Sequence, residues 1–292
     1  MNKRIFLLAA VMLAATLMFG FQTILADTAS GNVTITNAAP TMGAVTLWNQ
    51  AGANAAITLS AGSTVTVTAN VTVTDTNGGA NVNTATGTLY HSTSTSAGAD
   101  DENIHLTNSS CVLSGVSGND VIATCAFTMN YMALGGTWTA NMTATDLASA
   151  SVSATDDNTV NDLAGLDVTD ATIEFGSMAL GTNSTTATNM TVRSQGNVQI
   201  DAIFSGTNYT CTSGTIPATN TKYGLSYVAY DSLTTGLTES AVTQTGFDLG
   251  VRGVATANGA NSDKNEYWGI LIPTSGISGT CTDTLTVTAV AG

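Results

Sequence analysis

Charge is what this sequence has least of. Only 9% of its 292 residues are Asp, Glu, Lys or Arg, against about 25% in ordinary soluble proteins. Basic residues are scarcer still: six Lys and Arg face 20 Asp and Glu, for a formal net charge of −14. Phosphate binding needs clustered Lys and Arg, so a nucleic-acid partner is excluded. Histidine is almost missing. Nucleophile chemistry usually needs a base held by a third group, yet His91 and His105 are the two histidines, and no GxSxG or similar context frames a Ser. Both are expected to be exposed loop residues. No catalytic residue is assigned, and the chain does not read as an enzyme. Helical periodicity is absent after the first 26 residues.

What is present is alternation. From Ala61 to Asp75, Val65, Val67, Ala69, Val71 and Val73 fall on one face and Thr66, Thr68, Asn70, Thr72 and Thr74 on the other. An unbroken period of two marks a half-buried β-strand. Weaker copies recur: Asn32–Ile35 as a short first strand, Thr86–Tyr90, Cys111–Leu113, Ile122–Met129, and Thr137–Asp146 with Trp138, Ala140, Met142 and Ala144 on one face. Further on come Leu166–Val168, Ile173–Gly176, a strand ending at Met190 and Val192, and a return strand through Val198, Ile200, Ala202 and Phe204 after the Gln195-Gly196-Asn197 turn. Tyr267–Pro273 reads as a central strand. Cys281, Leu285, Val287 and Ala289 share one side of a last one. Short strands with frequent turn signals predict an all-β fold of two consecutive immunoglobulin-like β-sandwich domains.

The first 26 residues have the order of a secretory signal peptide: Lys3 and Arg4, an apolar run from Ile5 to Phe21, then small residues to Ala26. Cleavage after Ala26 is expected; the alternative is an uncleaved N-terminal membrane anchor, since about 20 apolar residues span a bilayer. No membrane span is expected after cleavage. The organisation expected is 1–26 signal peptide, 27–155 first sandwich, 156–165 linker and 166–292 second sandwich. Four cysteines in an exported chain imply two disulfides with three pairings open. Cys111 and Cys125 lie in the first half, Cys211 and Cys281 in the second, so pairing within halves is expected.

The runs FGSMALGTNS (175–184), RSQGNVQID (193–201) and YWGILIPTSGISGTCTDTLTVTA (267–289) resemble a C-terminal β-sandwich domain of secreted archaeal surface proteins, with the pattern FGSL-x-x-GT-S, then N-x-GN, then YW-x-I-x-IP-x-G-x-x-x-GTYTGT. NAAPTMGAV, VTVTDTNGG and GTWTANMTATD resemble the immunoglobulin-like domains that precede it there. Cys281 stands where that pattern has Tyr, which a bond to Cys211 would explain, and Arg193 where it has Asn. Such domains are also broadly similar to biofilm and bundling-pilus subunits that polymerise by lending a strand to a neighbour, a fold-level analogy.

Three kinds of candidate site remain. Asp156, Asp157 and Asp162 could supply oxygen ligands to calcium at the junction, against the plainer reading of solvated turn residues. No other cofactor is expected. Sequons occur at Asn32, Asn70, Asn108, Asn141, Asn183, Asn189 and Asn208, no more than so much Asn, Ser and Thr gives by chance; Asn70, Asn108 and Asn208 are the favoured glycosylation positions. Tyr223, Tyr227, Tyr230 and Trp268 could form a sugar-stacking platform, against a reading as core residues. The function expected is that of an extracellular, cell-surface structural protein. It would be a subunit of a filament, pilus-like fibre or coat assembled through β-strand edges, with Ser30–Asn37 as the natural donor strand. Its partners would be further copies or other surface proteins. The alternative is a monomeric adhesin or glycan-binding module.

Overall fold

A computed structural model describes residues 30–170, 172–252 and 263–292; the expected signal peptide lies outside them. The described residues are all-β, without an α-helix. The first sandwich has strands β1 (Thr46–Asn49), β2 (Thr64–Thr74), β3 (Val82–His91), β4 (His105–Asn108), β5 (Val112–Ser117), β6 (Asp120–Asn130), β7 (Gly136–Asp146) and β8 (Ser151–Val160). One sheet runs β1-β2-β6-β5 and the other β8-β7-β3-β4, all antiparallel.

The alternation in the sequence is what closes this core. Val67, Ala69 and Val73 of β2 face Ala123 and Cys125 of β6 and Trp138, Ala140, Met142 and Ala144 of β7, all fully buried. Their Thr neighbours turn outward. Trp138 needs a partner for its indole N–H, and Nε1 donates to the Leu134 carbonyl at 2.8 Å. Cys111 is bonded to Cys125, tying the start of β5 to β6.

The second sandwich comprises β9 (Leu166–Val168), β10 (Thr188–Ser194), β11 (Ile200–Gly206), β12 (Tyr209–Ser213), β13 (Thr221–Gly224), β14 (Asp263–Ile270), β15 (Ser278–Thr282) and β16 (Leu285–Ala291). One sheet runs β9-β10-β14-β13, so β14 is an interior strand. Against it lie β11 paired with β16, and β12 paired with β15 and closed by the Cys211–Cys281 bond. The core is aromatic: Phe204, Tyr223, Phe247 and Trp268 are buried, with Tyr223 stacked on Trp268 and Phe204 edge-on to both.

Five expectations need correction. Asn32–Ile35 forms no strand; residues 30–36 are exposed. Period two gives a segment its two faces, but a strand also needs a partner edge. Ile173–Gly176 likewise joins no ladder. The segment read as a linker from residue 156 begins inside β8, which continues to Val160. Its polar composition suggested a connection, but the inward Asp156 accepts from the Leu47 N–H at 3.3 Å and Asn158 donates to the Ala55 carbonyl at 2.8 Å, so an edge strand tolerates them. The strand after the Gln195-Gly196-Asn197 turn does not pair back on β10; it crosses to the opposite sheet. The final strand is two, β15 and β16, broken at Asp283-Thr284 and placed in different sheets.

The crossing turn is fixed by one side chain. Asn197 is buried, and its Oδ1 accepts from the Leu163 N–H at 2.6 Å while its Nδ2 donates to the carbonyls of Ala133 and Asn161 at 2.8 and 3.1 Å. Gly196 beside it must lack a side chain, because a Cβ there would collide with the Leu163 carbonyl. The Gly62 N–H also donates to the Gln195 carbonyl at 3.3 Å. These bonds join the β1–β8 sandwich to the turn of the next one, within one compact unit from Asn37 to Gly292. Asn197→Ala removes the side-chain partner of three backbone groups, the Leu163 N–H and the Asn161 carbonyl in part-buried bonds and the Ala133 carbonyl in a buried one. Guanidinium unfolding of that variant is expected to show a loss of about 1–3 kcal/mol, and an unchanged midpoint would refute the role given to Asn197.

Candidate functional site: an open groove in the second sandwich

The two neighbouring strands β11 and β16 do not share the same burial. Ile200, Ala202 and Phe204 on the inward face of β11 are fully buried. Leu285, Val287 and Ala289, the inward residues of β16, are half-buried. β16 pairs with β11 along its whole length, and its other edge has no ladder partner among the described residues. A groove of about 1100 Å³ opens beside the first part of β16, at Leu285 and Val287. Met190, Tyr209, Ile216, Trp268 and Ile270 line its depth. Leu285 and Val287 form one wall. The opposite wall is the unpaired stretch Thr172–Met178, from which Ile173 and Phe175 turn inward but stay half-buried. Among the described residues, an edge without a ladder partner therefore borders a face whose apolar side chains stay half-buried. At the floor, burial pushes the Tyr209 hydroxyl up to about 12, and burial also raises the neighbouring Asp283 carboxyl.

The residues nominated from the sequence do not converge on this groove. Asp156 and Asp157, adjacent in β8, point to opposite faces, Asp157 accepting from Thr139 Oγ1 at 2.6 Å. With Asp162 they form no common ligand set, and no group of three or more His, Cys, Asp or Glu able to hold a metal ion exists among the described residues. Asn70 lies on the outer face of β2. The amide nitrogens of Asn108 and Asn208 are engaged, donating to the Ala126 carbonyl and to Glu239 at 2.8 and 3.1 Å. The histidines are not exposed, which corrects the expectation: His91 is nearly and His105 fully buried. His91 ends β3, its ring edge-on to Trp138, and His105 Nδ1 lies 3.2 Å from Asp100 Oδ1. Of the aromatic set, Tyr223, Tyr230 and Trp268 are core residues, and Tyr227 alone is exposed, at 63%. Arg193 has a local reason: it faces Asp263 across β10 and β14 and holds it through two 2.9 Å bonds.

Glu266 was not singled out from the sequence. It sits on β14 on the same face as Trp268, fully buried, and neither carboxylate oxygen has a hydrogen-bond partner among the described residues. Burial raises its carboxyl from the ordinary 4.5 to about 8, with Lys264 opposing the shift. The signal was available: counting back by two from Trp268 puts residue 266 on the core face.

No family model matches the chain, and no curated protein sequence does. Solved structures give distant matches. One is the chaperone–tip adhesion subunit pre-assembly complex from archaic chaperone-usher Csu pili of Acinetobacter baumannii, at 11% identity, covering 80% of this chain and 96% of that one with a TM-score of 0.34. Another is dimeric latent PorU of Porphyromonas gingivalis, at 14% identity and a TM-score of 0.28, where the match covers 89% of this chain and 21% of that one. The C-terminal domain of the Streptococcus pyogenes antigen I/II-family protein AspA matches at 11% identity over 86% and 98% of the two chains, with a TM-score of 0.24.

The burial of Glu266 makes stability depend on pH. Well below pH 4.5 the carboxyl is protonated in folded and unfolded chains alike, so its ionisation adds no penalty to folding. Between there and about 8 the unfolded chain gives up the proton while the folded chain keeps it, so stability falls as pH rises; above 8 the full cost is present. Each unit of separation is worth about 1.4 kcal/mol. Glu266→Gln is expected to match the native chain near pH 4 and to exceed it by a few kcal/mol above pH 8 in denaturant unfolding; parallel pH profiles would refute this.

Proposed function

We propose that this chain is a secreted structural protein of the cell surface, a subunit of an extracellular filament or coat joined through β-strand edges. The observation that carries the reading is β16. It is a seven-residue edge strand, Leu-Thr-Val-Thr-Ala-Val-Ala, over an incompletely covered apolar face. Natural sheets defend such edges with Lys, Pro, bulges or a covering element. This edge has neither Lys nor Pro, and its register with β11 runs without a bulge. Strand addition uses main-chain hydrogen bonds for affinity and alternate side-chain pockets for specificity, and β16 offers both. Two disulfides suit an oxidising exterior. The resemblance to archaeal surface proteins points the same way. The adhesin alternative draws no support from the aromatic residues, because a sugar platform needs exposed rings and only Tyr227 of the four is exposed.

Light scattering and negative-stain microscopy of the purified, secreted chain test the proposal. Polymers or fibres growing with concentration are expected. A monomer at all concentrations that is retained on a glycan array would replace this reading with the adhesin one.

A further inference from the structure

We infer that the groove beside β16 binds an uncharged lipid-like molecule, an apolar chain carrying an oxygen that accepts a hydrogen bond from the Trp268 indole. The inference stands apart from the edge-assembly reading, since it concerns the depth of the groove within a single copy of the chain.

The anchor is an unmatched donor. Trp268 is 1% exposed and lines the depth of the groove, yet its Nε1 has no hydrogen-bond partner among the described residues. A buried indole N–H ordinarily finds one, and Trp138 in the first sandwich does so at the Leu134 carbonyl. Of the buried side-chain polar atoms without a partner among the described residues, Trp268 Nε1 alone belongs to a residue lining this groove. The polar groups at the floor are already engaged with one another. Tyr209 Oη accepts from Thr221 Oγ1 at 3.4 Å and is bonded to the Asp283 carboxyl. A ligand entering the groove therefore meets one free donor.

The walls set the rest of the ligand. Small-molecule sites are mostly apolar concavities of roughly 300–1,000 Å³ in which a few fixed polar groups orient the ligand, and this groove has about 1100 Å³. Met190, Ile216 and Ile270 are buried beside Trp268, and Phe175 and Val287 are half-buried. An apolar chain laid against these residues leaves water as it binds. Charge decides the head. Glu174 and Asp283 are the carboxylic side chains of the lining, and no Lys, Arg or His joins them. A carboxylate or phosphate head finds no counter-ion there, and the net charge of −14 repels it. An ammonium head has no lone pair to accept from an N–H. A hydroxyl, ether or ester oxygen accepts without burying a charge.

The test uses the full disulfide-bonded chain with three ten-carbon probes of equal tail: decanol, decanoate and decyltrimethylammonium. Calorimetry is expected to show one decanol per chain, bound at least about tenfold more tightly than either ion. In NMR spectra of single copies the Trp268 indole N–H resonance is expected to move with decanol while those of Trp48 and Trp138 stay. Trp268→Phe removes the donor and is expected to weaken decanol binding roughly fivefold. Ile173→Trp narrows the groove from its opposite wall, outside any ladder. It is expected to weaken decanol binding at least tenfold with an unchanged unfolding midpoint. Decanoate or the ammonium probe binding as tightly as decanol overturns the ligand class. A Trp268 resonance that stays still, or decanol binding that neither variant alters, overturns the site. Absence of decanol binding overturns the inference as a whole. None of these outcomes touches edge assembly, which light scattering of the chain without probes reads separately.

Discussion

A strand with one apolar face is stable only where a second layer covers that face, and this requirement organises the whole chain. In the first sandwich it is met by β2, β6 and β7, which bury Val67, Phe127 and Trp138 between the two sheets, while Val112 and Val116 of the edge strand β5 stay exposed. In the second it is met over β11, β14 and β13 but not over β16, where the covering segment Thr172–Met178 lies against the core without joining either sheet. The same patterning rule that closes one core leaves the other with an open flank.

What the sequence made legible follows from that rule. Each strand whose two faces differ in chemistry could be read, and the inward sets Val65–Val73 and Trp138–Ala144 lie where period two puts them. The interior position of β14 was legible from its near-continuous apolar run. Sheet membership was not. The turn at Gln195–Asn197 looks like a hairpin, but Asn197 spends its side chain on the backbone of residues 133, 161 and 163, and this tertiary anchoring sends β11 to the other sheet. Local pattern carries no information about such a partner. The groove was illegible for the same reason, because it is defined by the missing neighbour of β16 and not by any motif within it.

The misread residues were polar ones whose environment decides their behaviour. His91 and His105 were read as loop residues, but they end β3 and begin β4, and the adjacent strands enclose them. Asp156 reads as a free carboxylate, yet on the inward side of β8 it answers the Leu47 N–H. Glu266 is the opposite case, a buried carboxyl without a partner. It survives because a protonated carboxyl costs far less to bury than an ionised one.

The scarcity of charge ties these observations together. Lys on an edge strand prevents sheets from extending between molecules, and two of the six basic residues lie in the expected signal peptide while Arg193 is committed to Asp263. Long-range repulsion between acidic copies is screened beyond about 8 Å at physiological salt, so it slows encounter but does not guard a groove at contact distance. Thr-rich outer faces keep the molecule hydrated without supplying the point charges that would block a ladder. A chain patterned in this way has no chemical defence at β16. The edge of β16 is therefore left with neither a blocking Lys or Pro nor a ladder partner among the described residues.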